Sequence, residues 1–230
     1  PYTGRSYAQE PAIMAWELGN EPRGFHTNAA AFNVWIDDTA QFIKGLDSNH
    51  LVTTGCEGDT PWPDWNGLDF VANHDGASID YATVHIWPQN WGWFDPQHPA
   101  TFDRAEEEVL AYLEEHVAAA RQLNKPLVLE EFGLARDWQP SHGGYDPNAA
   151  TTLRDRFFRA LFDEVYASAL GGGPLAGDSL WAWGGQGRPG EPWIGDPPHE
   201  EPGWYSVYDS DAMTLELLAA HARRMREIGR

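Results

Sequence analysis

Glu21 stands between Asn20 and Pro22, directly behind the apolar run AIMAWELG, at a point where proline lets neither helix nor strand continue undisturbed. A second pair of carboxylates, Glu130 and Glu131, falls inside PLVLEEFG, again behind an apolar run. Two carboxyl groups facing one cleft are the equipment for cleaving an acetal: one delivers a proton to the leaving oxygen, the other stays ionised as nucleophile or base. A surface turn accounts for a lone Asn-Glu-Pro, and an interior salt bridge is the reading adopted for Glu17, which lies mid-strand. Glu21 lies beyond its strand and resists that account. Alternation alone does not choose between Glu130 and Glu131, because Val128 and Leu129 are equally apolar.

The chain holds twelve tryptophans. Seven of them, Trp62, Trp65, Trp91, Trp93, Trp138, Trp193 and Trp204, lie in stretches rich in Pro, Gly, Asn and Asp, which read as loops. A single loop tryptophan covers a core edge; many together present flat apolar faces with a donor at the rim. Sugar rings, apolar on their faces and hydroxylated at their edges, suit such surfaces.

The elements that must hold these groups follow one repeated unit, a short apolar strand, a loop and an amphipathic helix. Strands are expected at Ile13 to Gly19, at 51–55 (LVTTG), 80–87 (DYATVHIW), 126–133 (PLVLEEFG) and 179–185 (SLWAWGG). Helices are expected over about Ala29 to Leu46, Thr101 to Leu123, Asn148 to Leu170 and Met213 to Ile228. Alternating strands and helices indicate a parallel sheet of α/β class, and apolar runs with little alternation indicate strands covered on both faces. The strands end in informative clusters: Glu21 and Arg23 after the first, Glu57 after the second, His85 and Trp87 on one face of the third, Glu130 and Glu131 at the fourth, Trp181 and Trp183 on one face of the fifth. Chemistry gathered at the C-terminal ends of parallel strands is the arrangement of the (β/α)8 barrel. No glycine-rich first turn for a nucleotide follows any strand.

Composition narrows the partners. At 230 residues, 42% hydrophobic and 22% charged, the chain falls in the ordinary globular class, with a sizeable core and a single domain over 1–230. A formal charge of -20 repels nucleic acid and anionic lipid and favours a neutral ligand. No stretch approaches the ~20 apolar residues of a membrane-spanning helix, and residues 1–11 lack the basic and apolar regions of a signal peptide. Cys56, the single cysteine, reads as a small buried thiol. Nine histidines show no H-E-x-x-H or similar spacing, so neither a metal nor another cofactor is expected.

The stretches AIMAWELGNEPRG, DYATVHIWPQNWGW, PLVLEEFG and the long run from SLWAWGG to YSVYDSD resemble glycoside hydrolase family 5, in its endo-β-1,4-mannanase branch. The likeness extends over nearly the whole chain, and Asn-Glu-Pro followed by Glu-Phe-Gly is highly specific in combination. It implies a retaining hydrolase of mannan, glucomannan or galactomannan, with Glu21 as acid/base and Glu131 as nucleophile. It further implies that Asn20 and His85 bind at the cleavage point, that Trp183 with Trp181 floors it, and that Arg23 and Glu57 grip a sugar on the leaving-group side. Trp87 stands where the family usually has tyrosine. The implied substrate is a polysaccharide or oligosaccharide, and the implied location is extracellular, as a secreted protein. Because Asn-Glu-Pro follows the fourth strand of the family's barrel, the resemblance implies an incomplete (β/α)8 TIM-barrel, strands four to eight, without the first three strand-helix units. Other readings are a β-1,4-glucanase of the same family and a carbohydrate-binding protein without catalysis.

Overall fold

The computed structural model describes residues 4–25, 28–141, 143, 146, 148–189, 191 and 200–228. Trp193 and the first part of the DPPHEEPGW run lie outside the described residues. In order come β1 (Ala15–Glu17), α1 (Ala29–Leu46), β2 (Leu51–Thr53), α2 (Pro63–Asn66), α3 (Phe70–His74), β3 (Ala82–Ile86), α4 (Phe102–Leu123), β4 (Leu127–Phe132), α5 (Thr152–Leu170), β5 (Leu175–Asp178), β6 (Trp183–Gly185), β7 (Val207–Tyr208) and α6 (Ala212–Glu227). The sheet order is β1-β2, then β3-β4-β5, then β6-β7. The chain divides into two compact units, Pro1–His85 with Glu114–Glu130, and Ile86–Leu113 with Glu131–Arg230. The division runs within β3, α4 and β4 themselves. No helix among the described residues is long and apolar enough to cross a membrane.

In the first unit β1 pairs in parallel with β2, Ala15 opposite Leu51 and Glu17 opposite Thr53. A parallel pair requires a crossover, which α1 supplies. Phe32, Ile36 and Ala40 recur every four residues on one face of that helix and bury themselves with Val52, Cys56, Leu68 and Ile79. Each large apolar side chain so buried contributes about 1.5–3 kcal/mol. Asp47 ends the helix and shapes the turn into β2: it accepts from the amides of Asn49 at 2.9 Å and His50 at 3.2 Å, and from the Trp16 indole at 2.7 Å. All five residues of β3 are buried, as expected of a strand covered on both faces. Hydroxyls tie it to β2, Thr53 donating to the Tyr81 carbonyl at 2.8 Å and Thr83 to that of Cys56 at 2.7 Å.

The second unit is built on α5, whose Phe157, Phe158 and Phe162 surround Phe132 with ring centroids 6.2, 5.1 and 5.9 Å away. Asp137 accepts from the amides of Thr152 and Leu153 and so caps this helix from outside its own sequence. That remote cap starts the helix at Thr152 and not near Asn148.

Helix positions agree with the sequence expectations within a few residues, and four of the five strands lie inside their expected runs. The fifth does not. Residues 179–182 belong to no strand, and the strand next to β4 is Leu175–Asp178, where no strand is expected from the sequence. The Trp181 amide donates to the Phe132 carbonyl at 3.0 Å, and the Trp181–Ala182 peptide is cis. The chain resumes as β6, which pairs with β7, Trp183 opposite Val207. The strand alternation expected to place Trp181 and Trp183 on one face therefore does not operate there.

Candidate active site

The first unit collects Glu21 and Arg23 past the end of β1, Glu57 past the end of β2 and His85 near the end of β3. Glu21 has φ of 46°, a left-handed backbone that costs a side chain other than glycine about 1–3 kcal/mol. Its amide donates to the Gly55 carbonyl at 3.0 Å, which pins the turn after β1 to the turn after β2. Gly55 must be glycine here: its φ is 72°, and a Cβ would run into the Gly19 carbonyl and the Glu17 carboxylate. So held, Glu21 Oε1 lies 3.0 Å from His85 Nδ1, and Oε2 lies 3.5 Å from Arg23 Nη2. Arg23 Nε donates to Glu57 Oε1 at 2.6 Å. Burial pushes the Glu57 carboxyl above its ordinary range, the charge of Glu21 adds to the rise, and Arg23 opposes it.

Behind this front, His85 Nε2 is 3.9 Å from Glu130 Oε2, and the Tyr81 hydroxyl donates to Glu130 Oε1 at 3.3 Å. His85 thus lies between two carboxylates. Burial, reinforced by Glu130, pushes the Tyr81 phenol up and keeps it a donor. Glu17 corrects the sequence expectation, since it makes no salt bridge among the described residues. Partial desolvation and then the charge of Glu130 raise its carboxyl, His85 partly offsets them, and the net value is about 6. Period-two spacing puts Tyr81, Thr83 and His85 on one face of their segment, and that signal identifies Tyr81 as a neighbour of the site.

Asn20, next to Glu21, is exposed. Glu131 is the residue after Glu130 in β4 and is half-buried. In its unit, Trp87 packs on Tyr205 with ring centroids 4.9 Å apart, and Trp204 stacks on the same tyrosine at 4.9 Å. The Tyr205 hydroxyl bonds Asn90 Oδ1. Gly133 permits this convergence: a Cβ would lie 2.7 Å from the Trp181 carbonyl and 2.8 Å from the Trp87 ring. Trp181 is half-buried and Trp183 is 54% exposed. Of the loop tryptophans, Trp91 and Trp93 pack on each other and on Tyr112, while Trp62, Trp65 and Trp138 remain exposed. Cys56 is buried, and burial pushes its thiol up to about 12.

The profile of glycoside hydrolase family 5, β-mannosidase-like, matches residues 1–230. The chain belongs to that family. Among curated relatives, mannan endo-1,4-β-mannosidase 5 of Arabidopsis thaliana is 35% identical over 197 residues, covering 78% of this chain and 42% of the relative. Among solved structures, a glycoside hydrolase family 5 mannosidase from Rhizomucor miehei superposes with a TM-score of 0.85 at 34% identity, covering 98% of this chain and 54% of that one. A mutant of the Rhizomucor miehei mannosidase was solved in complex with mannosyl-fructose and matches with the same score and identity, covering 99% of this chain and 55% of that one. The α/β class and (β/α)8 type expected from the strand ends hold for this family 5 chain. The chain spans about half the length of the relatives it matches.

Proposed function

We propose that this family 5 chain carries a retaining glycoside hydrolase centre that cleaves internal β-1,4-mannosidic bonds of mannan, glucomannan or galactomannan. The observation that carries the reading is Glu21: a carboxylate in a strained turn past β1, bridged by His85 and Arg23. The mannan endo-1,4-β-mannosidase and mannosidase relatives supply the bond class. The complex of the Rhizomucor mannosidase with mannosyl-fructose supports an oligosaccharide ligand.

In this mechanism Glu131 attacks the anomeric carbon, the bond to the glycosidic oxygen breaks, and Glu21 gives that oxygen its proton. Water then attacks the glycosyl-enzyme ester, Glu21 takes a proton from the water, and the Glu131 carboxylate departs. Retention requires the two carboxyl groups about 5–5.5 Å apart. His85, hydrogen-bonded at Nδ1 to Glu21 and faced at Nε2 by Glu130, orients the acid/base. Arg23 and Glu57 bind hydroxyls of the sugar on the leaving-group side, Asn20 binds at the cleavage point, and Trp87, Trp181 and Trp183 wall it. A polymeric substrate implies action outside the cell.

Release of reducing ends from mannan, glucomannan and cellulose tests the assignment. Glu21→Gln and Glu131→Gln are each expected to lower turnover on mannan at least ~1000-fold with the fold intact by circular dichroism. Retention of a tenth of the parent rate by either variant removes that residue from the mechanism, and preference for cellulose redirects the reading to β-1,4-glucan.

A further inference from the structure

Phe25, Trp62 and Trp65 are three large aromatic side chains that the first unit leaves 48%, 52% and 55% exposed. They belong to the two loops that carry Glu21, Arg23 and Glu57, and those loops are fastened to each other. The Phe25 amide donates to the Asn66 carbonyl at 2.7 Å, and Asn66 Nδ2 donates to Thr60 Oγ1 at 2.6 Å. Close approach requires glycine on both sides: a Cβ on Gly67 would lie 2.6 Å from the Phe25 amide, and one on Gly24 would lie 2.9 Å from both the Gly67 carbonyl and Phe32. The loop therefore meets the core through Gly24, and Phe25 projects away with φ of 49°, left-handed like Glu21. Its ring meets Trp65 edge to face, centroids 5.7 Å apart at 87°.

We propose that Phe25 and Trp65, with the exposed Trp62 on the same segment as Trp65, form a sugar-stacking platform that extends the site past Arg23 and Glu57. Its occupant is a distal unit of the β-1,4-linked pyranose chain whose cleavage is proposed above, and the inference rests on that reading. Three observations select this occupant. The aromatic faces carry no charge, and the chain's charge of -20 disfavours anionic ligands. Asp64, exposed between Trp62 and Trp65 in sequence, offers carboxylate acceptors for sugar hydroxyls. Polar contacts link Glu21 through Arg23 to Glu57, and Phe25 follows Arg23 by two residues while Trp62 follows Glu57 by five, so these aromatics sit on the segments that carry the groups proposed to bind sugar. Backbone strain at both Glu21 and Phe25 is the pattern of residues held for a ligand.

The test uses Glu21→Gln protein, which keeps ligands uncut, titrated calorimetrically with mannohexaose and mannotriose. Adding Trp65→Ala or Phe25→Gly is expected to weaken mannohexaose binding about tenfold and leave mannotriose unchanged. Phe25→Gly also relieves the left-handed backbone, so its melting temperature should hold or rise while affinity falls, an outcome that a purely structural phenylalanine does not give. Trp65→Phe should recover most of the loss. Unchanged mannohexaose affinity in both variants overturns the platform. A parent that prefers cellohexaose overturns the mannan assignment instead, and the same variants titrated with cellohexaose then decide the platform separately.

Discussion

Two clusters of charged side chains, one in each unit, show opposite ways of placing ions in a protein. Around His85 the first unit gathers Glu21, Glu57, Glu130 and Glu17, with Arg23 as the guanidinium bonded to two of them. In the second unit Arg154, fully buried, donates to Asp211 at 2.7 Å, to Thr214 at 3.1 Å and to the Ser206 carbonyl at 3.1 Å, while Arg136 bonds the other oxygen of Asp211. The second cluster matches its cations with a shared carboxylate and backbone acceptors, so its electrostatics serve to lock α5, β7 and α6 together. The first brings four carboxylates near one guanidinium and one imidazole, and at Glu57 and Glu17 burial, with a neighbouring carboxylate, makes the proton bind more tightly than usual. The Asp211 cluster joins elements of its unit, whereas the crowded carboxylates around His85 are the kind of group whose raised proton affinity marks a candidate site.

The contrast is broken most directly at Asp211. Replacing it with alanine strands two buried guanidinium groups and should cost about 3–5 kcal/mol in urea unfolding. A loss below about 1 kcal/mol would show that this cluster does not hold its unit together. The pH dependence has a definite sign. Burial opposes ionisation of Asp211, but Arg136, the Tyr208 amide and Arg154 together hold its carboxyl below the usual range. Its contribution is therefore present above the unfolded-state value and lost as pH falls through the lowered one.

Glu17 runs the other way. Its carboxyl is raised to about 6, so the folded state binds the proton more tightly, and the stabilisation is present at low pH and lost as pH rises between about 4.5 and 6. Glu17→Gln should match the parent near pH 4 and exceed it above pH 6, by less than about 1 kcal/mol because the group is partly solvated. Melting temperatures of both proteins across that range decide it; parallel curves would mean that the Glu17 carboxyl is not raised on folding. The smallest effect is expected at Arg156, which pairs with Asp103 at 2.7 Å and Glu106 at 2.6 Å on an exposed surface. Arg156→Ala should cost under about 1 kcal/mol and that cost should shrink in salt. A salt-independent loss of several kcal/mol would erase the distinction between buried and surface ion pairs on which the comparison stands.

Sequence reading located α1 to the residue and placed Glu21, Arg23, Glu57 and His85 at strand ends, because apolar periodicity and turn residues are local signals. It erred where long-range contacts decide. The strand at Leu175–Asp178 hides among glycines, and Trp181 looks like a strand residue although the strand that pairs with β7 begins only at Trp183. The α5 start shifts because its cap, Asp137, lies on another segment.

Composition and motif spacing by themselves determined the α/β class, the family resemblance and the carboxylates worth testing, since these depend on residue type and order along the chain. Contacts between distant segments set that Glu17 is partly desolvated near Glu130, that Asp211 is shared between two buried arginines, and that Phe25 is exposed against Trp65. Each of those depends on which distant side chains approach, and a one-dimensional pattern carries charge and polarity but not the distances that set their energies.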